Sequence, residues 1–146
     1  MRHITRAGID LIKHFEGFGA HIYRDAAGLP TIGYGHLLRP GEAELFANGI
    51  SKPAAESLLI KDVQQAERAV LRRINVPLSD GQFDALVSFT FNLGGGALQR
   101  STLRRKVNRQ AHTQVPGEFL RWVFAGGRRL KGLLRRRETE VLHYTS

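Results

Sequence analysis

EGFGAHIYRDAAGLPTIGYGHLL, residues 16–38, is the stretch whose reading decides the fold of this 146-residue chain. Two short segments within it, HIYRD (21–25) and TIGYG (31–35), carry the β-branched and aromatic residues of strands. The five residues between them, AAGLP, are turn formers, so an antiparallel hairpin is expected. A period of two through the second segment predicts Thr31, Gly33 and Gly35 on one face, with Ile32 and Tyr34 on the other. A strand face bared by two glycines is one that something approaches closely. Upstream, Gly17 and Gly19 stop any helix, which leaves Glu16 as a helix's last residue.

Working outward, Thr5 can cap that first helix, which carries Ile9, Ile12 and Phe15 on one side. Beyond the hairpin, Ser51 is a good N-cap and Pro53 falls in a first turn, where its missing N–H costs little. Leu59, Val63, Ala66, Val70 and Ile74 then recur at three- and four-residue spacing, predicting a long helix over 51–74 that Asn75 and Pro77 end. Such a helix leads from a strand-bearing N-terminal part into an all-helical remainder, as a helix shared by two lobes does. Ser79 and Gln82 form a capping box for the next helix, SDGQFDALVSFTFNL, with Phe83, Leu86, Val87 and Leu93 as core candidates. Shorter helices are expected around 102–108, 117–124 and 134–143, with a glycine- and arginine-rich loop at 126–132. Residues 39–50 stay open, a third strand being one option.

The fold class that follows is α+β and mainly α. A small N-terminal lobe (15–50) holds the short antiparallel sheet, and a connecting helix (51–74) leads to a helical C-terminal lobe (75–146) that helix 1 joins. All of 1–146 is one domain by size.

Composition bounds the function. Apolar residues make up 42% and charged residues 24%, ordinary for a chain with a packed core. There is no cysteine, so neither a disulfide nor a thiolate metal site is available. Residues 1–15 hold no apolar run suited to a secretory segment, and no stretch approaches the ~20 apolar residues of a membrane span. Net charge is +9, from 22 Lys+Arg against 13 Asp+Glu. Arg104, Arg105, Lys106 and Arg109 form one basic cluster; Arg128, Arg129, Lys131 and Arg135 to Arg137 form another. These clusters read as a solvated face, as an attraction to the anionic bacterial envelope, or as membrane disturbance by the basic C-terminal helix. Glu138 and Glu140 interrupt that helix's polar face and rank the last reading lowest.

Glu16 and Asp25 are the carboxylates that matter. Closing the hairpin brings Asp25 and the Thr31 hydroxyl to one end of the ribbon, able to share a water, and helix 1 could present Glu16 across a gap. Two carboxylates across a cleft suit glycosidic cleavage: one acid protonates the leaving oxygen, one base directs attack. Phe15, Phe18 and Ile22 could supply the apolar surroundings that an acid needs. On residue types alone, the pair reads first as two solvated surface carboxylates. His36 reads as a hydrogen-bonded structural partner, and its spacing to His14 and Glu16 fits no metalloenzyme motif, so no metal is expected.

Glu16-Gly17 through Tyr23-Arg24-Asp25, then Gly28-Leu29-Pro30-Thr31-Ile32-Gly33-Tyr34-Gly35-His36-Leu37-Leu38, resembles the active-site segment of the tailed-phage lysozymes, glycoside hydrolase family 24. The family pattern of a Glu, eight residues, an Asp or Cys, five residues and a Thr is met by Glu16, Asp25 and Thr31. Asp84-Ala85-Leu86, Phe91-Asn92-Leu93-Gly94, Trp122 with Gly126-Gly127, and Arg135-Arg136-Arg137-Glu138 are similar to later family segments; 39–78 carries little likeness.

The resemblance implies a lysozyme-like fold with a cleft between its lobes and cofactor-free hydrolysis of peptidoglycan. Glu16 would be the acid, Asp25 with Thr31 would orient the water for inversion, and Leu37 and Phe91 would contact the glycan. It implies a monomeric endolysin that accumulates in the host cytoplasm and reaches the periplasm and wall after a holin opens the membrane. A lytic transglycosylase is the nearer alternative, though Asp25 and Thr31 would then have no task. A nucleic-acid-binding module, suggested by the charge, lacks aromatics interleaved with its basic residues or a reader motif, so no nucleic-acid partner is expected.

Overall fold

The computed structural model describes all 146 residues. Eight α-helices and five short strands form it: α1 Arg6–Glu16, β1 Gly19–Arg24, β2 Pro30–Gly33, β3 His36–Leu37, α2 Glu42–Leu45, α3 Lys52–Arg73, α4 Asp80–Leu93, α5 Gly95–Arg100, α6 Thr102–Asn108, α7 Val115–Phe119, β4 Phe124–Ala125, β5 Arg128–Arg129 and α8 Lys131–Tyr144. The chain divides into two compact units, Ile12–Gln64 and Met1–Leu11 with Gln65–Ser146, and the divisions fall inside α1 and α3.

In the unit Ile12–Gln64, β1, β2 and β3 form an antiparallel sheet in that order. The hairpin is present, but β2 ends at Gly33 and the expected alternation through residue 35 fails. Gly33 and Gly35 adopt φ of +66° and +80°, a left-handed backbone that turns the chain back as β3. Thr31 and Ile32 are both buried, at 2% and 0% exposure. The third strand is 36–37, and 39–50 holds the short α2 instead. Gly33 is also a close approach: a Cβ there would lie 3.1 Å from the Cβ of Ala55 on α3. Ile50 N–H donates to the Ala20 carbonyl at 2.8 Å, and Lys13 pairs with Glu56 at 2.8 Å, so α1 and the segment entering α3 are both tied down.

His36 is the polar centre of this unit. Its Nδ1 lies 2.7 Å from Asp62 Oδ2 and its Nε2 3.1 Å from Glu42 Oε1. The histidine thus has the structural role expected of it, joining β3 to α2 and α3.

In the other unit, α4 is buried at every position from Phe83 to Thr90, the pattern of a helix surrounded on all sides. Its capping box forms as expected: Ser79 Oγ accepts from Gln82 N–H at 3.1 Å, and Gln82 Oε1 accepts from Ser79 N–H at 2.9 Å. Phe89 meets Phe119 and Trp122 edge-on at 5.7 and 5.5 Å between ring centroids. Asp84 accepts from the Thr5 N–H (2.9 Å) and hydroxyl, fixing the residue just before α1. Asn108 ends α3 by accepting from Asn75 N–H and donating to the Arg73 carbonyl, each at 2.9 Å.

Four expectations need correction. The remainder after α3 is not all helical, because residues 123–130 fold into a β4–β5 hairpin, and GGALQR (95–100) forms an unforeseen helix. The helix expected at 117–124 is Val115–Phe119, and the last one begins at Lys131 rather than 134. The second basic cluster is not one solvated face: Arg136 and Arg137 are buried at 4% and 0%, and Glu140 beside them at 0%. Arg137 Nε stands 2.7 Å from Glu140 Oε1, its Nη2 donates to Asn92 Oδ1 at 2.7 Å, and Ser88 Oγ donates to Glu140 Oε2 at 2.6 Å. These residues hold α8 against α4. Burial pushes the Glu140 carboxyl upward, opposed by the charges of Arg137 and Arg136.

Candidate active site

The sheet register sets three side chains in one row. Tyr23 on β1 pairs with Thr31 on β2, and Thr31 pairs with Leu37 on β3. Directly opposed residues of antiparallel strands share a face, so the row runs Tyr23, Thr31, Leu37. Thr31 is buried; Leu37 at the row's end is 50% exposed.

Asp25 directs the turn that closes this hairpin. Its Oδ1 accepts from the N–H groups of Ala27 and Leu29, both at 2.9 Å, while its own N–H donates to the Leu29 carbonyl at 2.9 Å. A carboxylate held by two backbone donors has one oxygen committed and the other, Oδ2, outside that loop. The Thr31 hydroxyl donates to the Leu29 carbonyl at 2.9 Å. Its proton is therefore engaged, and the hydroxyl oxygen keeps its lone pairs to accept with.

Glu16, the last residue of α1, is half-buried. Its carboxylate occupies the space that a side chain at 35 would need: a Cβ on Gly35 would stand 2.5 Å from Glu16 Oε1. The turn at 33–35 is thus shaped around this carboxylate. Phe18 packs on Tyr34 with ring centroids 5.4 Å apart, whereas Ile22, expected to give Glu16 apolar cover, is 39% exposed.

Tyr23 links the two carboxylates, and the sequence reading passed over it. Burial first, then the negative charges of Glu16 and of Asp25, push its phenol above the usual value. Tyr23 therefore stands within electrostatic reach of both. A signal for it existed: a hairpin symmetric about Ala27 pairs 23 with 31, which would have put Tyr23 beside the candidate threonine.

Glu16, Asp25, Thr31 and Leu37 thus lie in one unit, the first three around Tyr23 or paired with it. Phe91 lies on α4 in the other unit, partly buried. An apolar groove of about 470 Å³ in the sheet-bearing unit, lined by Leu45, Phe46, Ile50, Ala54 and Leu58 among others, contains none of the candidates.

Comparisons with known proteins bear on the family and the fold. The sequence model of the phage lysozyme family matches residues 13–140. The endolysin of Bacillus phage B103 is 42% identical over 139 residues, covering 94% of this chain. This chain spans about half, 52%, of that relative's length. The endolysin of Acyrthosiphon pisum secondary endosymbiont phage 1 is 36% identical and covers 99% of both chains. Among solved structures, the muramidase domain of SpmX from Asticaccaulis excentricus superposes with a TM-score of 0.87 at 35% identity, over 99% of each chain.

Proposed function

This chain belongs to the phage lysozyme family, and on that premise we propose that it is an endolysin muramidase acting in host-cell lysis. The reaction is hydrolysis of the β-1,4 bond between N-acetylmuramic acid and N-acetylglucosamine in peptidoglycan, carried out by a single domain over 1–146.

In this reading Glu16 protonates the glycosidic oxygen as the bond breaks. A water held by Asp25 and Thr31 attacks the anomeric carbon from the opposite face, inverting its configuration. The hydrogen bonds already described suit that task. With Oδ1 fixed by two backbone N–H groups, Asp25 offers Oδ2 to accept a water proton. With its own proton on the Leu29 carbonyl, Thr31 accepts the other. A water donating both protons presents a lone pair outward, as a nucleophile must. Leu37, exposed at the end of the row, and Phe91 supply apolar contact to the sugars.

The observation that supports this most directly is Tyr23, which feels both carboxylates and pairs across the sheet with Thr31. A neutral phenol there can donate to a sugar oxygen.

Product analysis on purified peptidoglycan is the test. Wild type should release fragments with reducing ends. Glu16→Gln should fold with an unchanged thermal midpoint and lose at least a hundred-fold in turnover, and Asp25→Asn should be severely impaired. Products ending in 1,6-anhydro sugars would make this a lytic transglycosylase; substantial turnover by Glu16→Gln would move the acid elsewhere.

For delivery, the reading has the enzyme accumulate in the host cytoplasm and reach the wall once a holin opens the membrane. No helix of the structure is long and apolar enough to cross a membrane. The surplus of positive charge draws the protein to the anionic envelope, so high salt should slow lysis of whole cells more than cleavage of short neutral oligosaccharides.

A further inference from the structure

Residues 119–137 contain seven basic residues and no Asp or Glu. Two of the seven, Arg136 and Arg137, are buried, and the other five are exposed: Arg121, Arg128, Arg129, Lys131 and Arg135. Arg121 is already paired with Glu118 at 3.2 Å. Four cations are thus concentrated on and immediately after the β4–β5 hairpin.

The hairpin itself projects. Positions 124–132 form nine consecutive exposed residues, the longest such run in the chain. Gly126 and Gly127 have φ of +58° and +75°, the two left-handed residues of a tight turn that matches strand twist. Leu130 N–H donates to the Val123 carbonyl at 2.9 Å, and Val123, 3% exposed, anchors the base. Phe124 pairs with Arg129 and Ala125 with Arg128, so each face of the ribbon carries one arginine and the first also carries Phe124. Phe124 is 61% exposed and Leu130 41%.

That combination selects a partner. A soluble polyanion, such as an acidic wall polymer, would need the arginines and gain nothing from an exposed phenylalanine beside them. A bilayer interface uses both: guanidinium groups pair bidentately with lipid phosphates, and an aromatic or leucine side chain enters the acyl boundary just beneath. We propose that the β4–β5 hairpin, with Phe124 and Leu130 as apolar wedges and Arg128 and Arg129 as phosphate ligands, docks this protein on anionic phospholipid membranes. The proposal stands apart from the muramidase reading, since it concerns neither Glu16 nor Asp25 nor Thr31.

Co-sedimentation with phosphatidylglycerol–phosphatidylcholine vesicles, against pure phosphatidylcholine vesicles, tests it. Wild type should bind only the anionic vesicles, and each basic residue at such a surface contributes about five-fold in affinity. Arg128→Ser/Arg129→Ser should therefore bind at least ten-fold more weakly. Phe124→Ser should also lose several-fold, while Phe124→Trp keeps binding and gains a blue-shifted emission on vesicles. Arg72→Ser/Arg105→Ser removes the same charge from exposed helical sites and should retain binding. Thermal midpoints check that each variant is folded. Failure of wild type to bind, equal losses in the two double variants, or an unaffected Phe124→Ser would each overturn the proposal. So would a double hairpin variant that loses affinity for purified sacculi while its affinity for vesicles is unchanged.

Discussion

Gly35 and Glu16 share one space: the carboxylate of the second lies where a side chain on the first would begin, with 2.5 Å between Glu16 Oε1 and the position of a Cβ on residue 35. The glycine of TIGYG therefore has a spatial as well as a conformational reason. Gly35→Ala should displace the Glu16 carboxylate as well as strain a φ of +80°. Gly41 provides the control, since its φ is +86° and nothing lies within 4 Å of its Cβ position. Both alanine variants should lose about 1–2 kcal/mol from backbone strain. Only Gly35→Ala should lose ten-fold or more in peptidoglycan turnover, because a shift of about 1 Å in a reacting group is costly. Equal turnover in the two variants would sever the link between Gly35 and Glu16.

His36 holds Asp62 and Glu42 at once, and is only 6% exposed. His36→Leu leaves two carboxylates facing an apolar side chain and should cost about 2–3 kcal/mol. Asp62→Asn should cost much less in the His36→Leu background than in wild type. A urea double-mutant cycle measures this; additive costs would show that the pair contributes nothing by itself.

Glu118 supplies an acid-side prediction. Hydrogen bonds from Lys106 (2.7 Å) and then Arg121, against the opposing effect of burial, hold its carboxyl below the usual value. A lowered folded-state value gives stability that is present above the ordinary Glu range, near 4.3, and lost as pH falls through the folded-state value. Glu118→Gln should therefore destabilise by about 1–3 kcal/mol at pH 7. That gap to wild type should shrink steadily below pH 4.5, as denaturant midpoints at several pH values will show.

Glu140 answers two buried arginines. Glu140→Ala leaves Arg136 and Arg137 without it and should cost at least 3 kcal/mol, enough to lower the thermal midpoint by many degrees. Removing a charge on each side together, as in Glu140→Leu/Arg137→Met, should recover a good part of that loss. A double variant less stable than Glu140→Ala would show that the pair is worth more than its burial costs.

Much of this could be read locally. The capping box of Ser79 and Gln82, the end of α1 at Glu16, the span of α3 and the existence of a hairpin closed through 26–30 all depend on interactions within a few residues, which spacing reveals. The misses share the opposite character. Arg136 and Arg137 look like any exposed basic run until Glu140, Ser88 and Asn92 are seen beside them. GGALQR carries no helix signal, because glycine disfavours helix, yet α5 packs Ala97 and Leu98 inside. Tyr23 matters only once the register sets it opposite Thr31.

By itself the sequence determined the order and type of most elements, the absence of any cysteine chemistry, and the spacing of Glu16, Asp25 and Thr31 on which the resemblance rests. Those are properties of neighbours along the chain, set by backbone propensity and periodicity. Only the tertiary structure decided which charges are buried, how Gly35 makes room for Glu16, and that residues 123–130 stand out as a cationic, aromatic-bearing hairpin. Burial and close approach arise between residues far apart in sequence, where the cost of removing a charge from water depends on partners that no local pattern names.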